Sequence, residues 1–148
     1  MDAIYTIGYE RADPADFLAT LEHAGVDRVL DVRAMPHSRR RGFSKKHLHQ
    51  ALGEAGIEYR NEPELGVPKP IRDQVKQDRD YDTFFRQYAA LLDERDDLLH
   101  ELAGSLDGRV ALMCYERDFR ICHRRLAAER LAAITGLQPH HLEVGTAA

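Results

Sequence analysis

From Cys114 to Arg124 the chain reads Cys-Tyr-Glu-Arg-Asp-Phe-Arg-Ile-Cys-His-Arg, gathering two thiols, two carboxyls, an imidazole and three guanidinium groups. Cys122 begins an apolar pattern of helical spacing. Free N–H groups at a helix start favour anions and lower a thiol's pKa. With His123 beside it to take the proton, Cys122 is a candidate nucleophile, and Glu116 a candidate general base. A bland reading stands beside each. Free cysteines are most often small buried hydrophobes, which is the favoured reading for Cys114 at the end of an apolar strand and leaves Cys122 open. For Glu116 the commoner reading is a salt bridge with Arg33 or Arg124.

The second chemical cluster is basic. Val32 to Gly53 holds no acidic residue but contains Arg33, Arg39, Arg40, Arg41, Lys45 and Lys46, with His37, His47 and His49. The formal net charge is −4, so this is a local patch on an acidic chain, suited to a small anion more than to a polyanion coat. Arg33 and Arg39 offer planar forks for a phosphate or carboxylate, and Ser38 a hydroxyl. Arg124 supplies a third guanidinium.

Two readings of the cysteine stretch compete. Cys114 to Arg120 fits the C-x5-R loop with which phosphatase-like and rhodanese-like enzymes cradle an oxyanion. That loop needs small residues, however, and here it carries Tyr115, Glu116, Asp118 and Phe119. Zinc held by Cys114, Cys122, His123 and a histidine of the basic loop is the other. Seven residues separate the cysteines, outside the short spacing of structural zinc sites. No metal or other cofactor is therefore assigned, with zinc kept as the lesser alternative.

These residues need a scaffold. Ile4–Ile7 is a short apolar run closed by Gly8. Pro14–Ala24 is a helix with Asp13 as N-cap, Pro14 at the first position and Gly25 as the stop. Val29–Val32 is a second strand, completing a βαβ unit. A short helix over His47–Ala55, a strand at Ile57–Tyr59 and a proline-rich loop over Pro63–Pro70 follow. Asp82–Leu106 has helical periodicity with a break near Asp93–Asp96. Arg109–Cys114 is the most apolar strand, Cys122–Thr135 the last helix, and His141–Val144 a final strand.

The alternation predicts an α/β chain: a three-layer, Rossmann-like sandwich with a mainly parallel sheet of about five strands. It forms one domain over residues 1–145, with 146–148 as a frayed tail. Ligands of such sheets bind beyond the carboxyl ends of the strands. Gly8, Tyr9, Arg33 and Cys114 all fall there. No apolar stretch is long enough to span a bilayer, the N-terminus lacks signal-peptide character, and two cysteines make no disulfide framework, so the cytoplasm is the expected compartment.

The ordered set Thr6-Ile7-Gly8, Asp31-Val32-Arg33, Pro36, Ser38-Arg39, Tyr59, Leu65-Gly66, Cys114, Glu116 and Cys122-His123-Arg124 resembles a bacterial and archaeal family, the domain of unknown function 488. The resemblance runs from Ile4 to about His141. It implies a compact α/β fold and a site comprising Gly8, Arg33, Ser38, Arg39, Cys114, Glu116, Cys122, His123 and Arg124, and it implies no activity. The chain departs from the family pattern with Tyr9-Glu10, where His-Ser is common, and with Val67, where a second glycine is common.

The leading expectation is an enzyme, a hydrolase or transferase, acting on a phosphorylated or nucleotide-like anion. Cys122 or Glu116 would react, with His123 assisting. The alternative is a non-catalytic module binding nucleic acid or protein through residues 39–46, with Phe43 for stacking. A third reading makes Cys114 and Cys122 a redox pair. Oligomeric state is not read from the sequence.

Overall fold

Period-2 alternation along the strands decides which side chain meets which layer. In the computed structural model, which describes residues 1–145, strands β1 (Ala3–Gly8), β2 (Arg28–Asp31), β3 (Glu58–Asn61), β4 (Arg109–Cys114) and β5 (Pro139–His141) form one sheet. Its order is β3-β2-β4-β1-β5, and every pairing is parallel. The tail at 146–148 lies outside the described residues.

Tyr5, Ile7, Val29, Ala111 and Met113 face helices α1 (Pro14–His23) and α2 (Lys45–Glu54). Ile4, Leu30, Val110, Leu112 and Cys114 face α4 (Tyr81–Glu94), α5 (Asp96–Ser105) and α6 (His123–Thr135). Helices on both faces make the three-layer α/β sandwich that strand–helix alternation predicts. Each fully buried Leu or Phe in these two layers contributes roughly 1.5–3 kcal/mol. Among the described residues, no helix is long and apolar enough to cross a membrane.

Local signals account for the helix ends. The Asp13 carboxylate accepts from the N–H groups of Ala15 and Asp16, at 3.0 and 3.4 Å, and starts α1. Gly136 ends α6 in the left-handed region at φ 79°. The long predicted helix does break, at Arg95, into α4 and α5.

Two expectations are corrected. The last strand is Pro139–His141 rather than His141–Val144: β1 offers Ile4–Thr6 as its partner, and Pro139 starts an edge strand without disturbing the ladder. The region after Pro63 is not one loop. A 3-10 turn over Pro63–Leu65 leads to helix α3 (Lys69–Asp78), whose Pro70 sits in the first turn, where its missing N–H costs no hydrogen bond.

The register aligns Gly8 with Cys114 and Asp31 with Met113. The helices after β1 and β2 pack on one face, whereas α6, which follows β4, packs on the other. The carboxyl ends of β1, β4 and β2 are thus a switch point, where the chain diverges and a crevice opens.

Candidate functional site

Just beyond β2, Arg33 folds back on Asp31. Its Nε donates to Asp31 Oδ1 at 2.9 Å and its Nη2 to Oδ2 at 2.8 Å, with exposures of 6% and 0% for the two side chains. Arg33 Nη1 donates to Tyr9 Oη at 3.1 Å and to the Phe43 carbonyl at 2.8 Å. Burial alone would lower the pKa of Arg33, but Asp31 and Tyr9 outweigh it and raise it further. Nearly every donor of the guanidinium is spent within the protein. Tyr59 also donates to the Asp31 carboxylate, and burial followed by that bond pushes its phenol upward.

Arg124 is likewise structural in its contacts. Its Nη1 donates to the Glu116 carbonyl and its Nη2 to that of Arg117, at 3.4 Å, while its buried Nε has no partner among the described residues. Gly8 makes room for this arrangement: a Cβ there would lie 1.8 Å from the Glu116 carbonyl oxygen. Arg124 and Gly8 together hold the loop after β4 against the end of β1.

Strand alternation sends Cys114 towards α6, whose N-cap is Cys122 and whose first residue is His123. His123 Nε2 lies 2.7 Å from the Val32 carbonyl, which can only accept, so Nε2 carries the hydrogen. Nδ1 then faces the thiols, with Cys122 Sγ at 3.9 Å and Cys114 Sγ at 3.5 Å. Burial would raise the Cys122 pKa, but the Cys114 thiol, His123 and Arg124 bring it well below its ordinary value. Burial would lower His123, and the Cys122 sulfur reverses that, so the pair tends towards thiolate and imidazolium. Cys114 is pushed up by burial and then by the Cys122 charge. Glu116 Oε2 stands 3.6 Å from Cys114 Sγ, and burial, then the charge on Cys122, pushes this carboxyl up to about 7.

Cys114, Cys122 and His123 have donor atoms within 4.8 Å of one another, compact enough for an ion. Yet Cys114 Sγ is 3.5 Å from Nδ1 and 3.9 Å from Nε2, nearly level with both ring nitrogens. A metal on Nδ1 lies along its lone pair, so the imidazole would have to turn away from Val32 to share an ion with Cys114.

A cavity of about 390 Å³ opens beside this cluster. Tyr9, Arg33, Cys114, Glu116 and His123 are among its lining residues. Helix α3 and the residue that ends it add Arg72, Lys76 and Arg79. Among the described residues none of these three side chains takes part in a hydrogen bond or ion pair, and the Arg72 Nε is buried. The two large apolar side chains most exposed to solvent, Met35 at 55% and Tyr115 at 45%, both line the cavity.

The remaining sequence candidates stand apart from it. Arg39 is exposed and outside the lining, and Ser38 Oγ accepts from the Arg40 N–H at 3.1 Å in a local turn. Cys122, Gly8 and Arg124 support the wall from behind. Arg120 of the C-x5-R pattern is turned outward, ion-paired with Asp118 at 2.9 Å, so the loop forms no anion cradle around Cys114. Phe43, expected to be free for stacking, is fully buried, its ring 4.7 Å from that of Tyr9 and 5.2 Å from that of Phe17.

The α3 cations escaped the sequence reading because residues 71–81 were assigned no element. The signal was present: Ile71 and Val75 have the spacing of an inward stripe, and Arg72, Lys76 and Arg79 have that of a neighbouring one. The departures from the family pattern are also absorbed by packing. Tyr9 accepts from Arg33, and Val67 is buried and lines the cavity. The retained Gly66 has a packing reason, since a Cβ there would lie 2.2 Å from the Ala34 nitrogen.

Fold and site define an all-parallel α/β protein with a thiol- and carboxyl-bearing cavity at its switch point. The chain belongs to the family described as domain of unknown function DUF488, which matches residues 13–131. No curated protein and no solved structure matches it.

Proposed function

We propose that the cavity binds a small phosphorylated or nucleotide-like anion and that the protein is an enzyme acting on it. One observation carries this reading. Three cations in no ion pair among the described residues, Arg72, Lys76 and Arg79, line a cavity that Cys114, Glu116 and His123 also line. Leaving an arginine nitrogen buried and unpaired is costly unless a ligand completes it. Among the lining residues, Arg33 is neutralised by Asp31, and Arg72, Lys76 and Arg79 are set against a single carboxyl, Glu116, so the cavity favours negative charge.

The exposed Met35 and Tyr115 add an apolar rim, which suits a ligand with a flat or hydrophobic part beyond its anionic end. Glu116, with a pKa of about 7, is poised to give or take a proton near neutrality. Cys114 is the thiol on the cavity wall, with His123 beside it and the Cys122 sulfur close enough to receive its proton.

Thermal-shift and calorimetric titrations with inorganic phosphate, nucleoside phosphates and sugar phosphates test the reading. At about 100 times its dissociation constant, a ligand of the folded state adds roughly 2.7 kcal/mol and raises the melting temperature by several degrees. The double variant Arg72→Ala/Arg79→Ala should lose that rise, while Arg39→Ala keeps it. Rejection follows if no anion stabilises the protein, or if Arg39→Ala loses binding and the α3 variant retains it.

A further inference from the structure

Cys114 and Cys122 come from separate elements, the end of β4 and the N-cap of α6, yet their sulfurs lie within 4.8 Å of each other and of His123 Nδ1. They differ in access. Cys114 is on the cavity wall, whereas Cys122 is fully buried and does not line the cavity. One thiol that a reagent can reach, a second directly behind it, and an imidazole beside both are the parts of a dithiol–disulfide couple. Neither cysteine is in a disulfide: both are free thiols.

We propose that Cys114 and Cys122 are a peroxide-reactive couple that closes to an intramolecular disulfide, Cys114 meeting a hydroperoxide from the cavity and Cys122 resolving the product from behind. In the first step the Cys114 sulfur attacks the distal oxygen of the hydroperoxide. The O–O bond breaks, the thiol proton passes by way of the Cys122–His123 pair to the leaving alkoxide, which departs as the alcohol, and Cys114 becomes a sulfenic acid. In the second, the Cys122 sulfur attacks Cys114, the S–O bond breaks, and the hydroxyl leaves as water with a proton from His123. Two thiols lose two electrons, and the hydroperoxide gains them. A small dithiol or a reduced protein thiol restores the pair by exchange. This couple needs no anion at the α3 cations, so it stands independently of the anion-binding reading.

Reduced protein is treated with stoichiometric hydrogen peroxide, alkylated under denaturing conditions and weighed intact. The expected result is a monomer lighter by two hydrogens, with both cysteines protected from alkylation and both recovered after dithiothreitol. In Cys122→Ser, Cys114 should accumulate as a sulfenic acid that dimedone traps. In Cys114→Ser, Cys122 should remain a thiol at the same peroxide dose, with circular dichroism confirming the fold. Unreacted wild-type thiols would overturn the proposal. So would a disulfide joining two chains, dimedone labelling confined to Cys122, or native mass spectrometry showing zinc on both thiolates. Arg72→Ala/Arg79→Ala is carried in parallel: disulfide closure without anion binding, or binding without closure, separates the two readings.

Discussion

Replacing Glu116 by Gln keeps shape and size but removes a titration, and its effect on stability should depend on pH in a defined direction. The Glu116 carboxyl is held at about 7 by burial and by the neighbouring sulfur charge, against an ordinary value of 4.5 that the unfolded chain keeps. Between those values the folded protein keeps a proton that the unfolded chain has released. The native state therefore binds more protons, and wild-type stability falls as pH rises from about 4.5 to about 7. A difference of about 2.5 units corresponds to about 3 kcal/mol, and partial solvent exposure of the side chain reduces this to about 2 kcal/mol. Glu116→Gln should gain about that much at pH 8 and only a few tenths of a kcal/mol at pH 4.5. For a chain of this length the gain at pH 8 is a rise of about 4–8 °C in Tm. Paired urea and thermal melts of both proteins at the two pH values, with reductant present, read it directly. An equal gain at both pH values would refute the reasoning, because the carboxyl would not be titrating in this window. A loss at pH 8 would refute it more strongly, showing that the carboxylate makes a stabilising pair in the folded protein.

Three further outcomes are expected. Asp31→Asn leaves the buried Arg33 without its anion and should cost about 3–5 kcal/mol in urea denaturation, whereas Asp31→Leu/Arg33→Met should cost less. Gly8→Ala places a Cβ against the Glu116 carbonyl and should destabilise by about 1–3 kcal/mol, measured by chemical denaturation, because the loop held by Arg124 must move. His123→Phe removes the proton acceptor beside Cys122 and should slow alkylation of the thiols by iodoacetamide at pH 7 roughly tenfold.

The strands and most helices were legible because their signals are local. A continuous apolar run marks Arg109–Cys114, and the Asp13-Pro14 start and Gly25 stop mark α1 within a residue or so. The two-residue side-chain period of a strand turns Cys114 towards α6 with Val110 and Leu112, and so to its meeting with Cys122 and His123. Partnership is what a linear reading lacks. Arg33 and Arg124 are arginines beside a cavity, but one answers a buried Asp31 and the other two loop carbonyls. Nothing in a one-dimensional charge pattern separates such arginines from Arg72 and Arg79, whose side chains meet no anion among the described residues. Phe43 was misplaced for the complementary reason: flanked by basic residues, it nevertheless packs between Tyr9 and Phe17.

Helix α3 buries no residue fully and has no side-chain cap at either end, and a left-handed Arg79 closes it. Ile71 and Val75 are its partial contacts with the core. Such a helix is the natural first unit to open and reclose while the sheet stays intact, so its amides should exchange with deuterium well before those of β1 and β4. Because three of the cavity's cations belong to this helix and its last turn, an anion that binds them also holds the opening unit shut. Apparent affinity is then the intrinsic affinity scaled by the closed fraction. A surface change that stabilises α3 alone, far from any ligand atom, would tighten binding and slow release together.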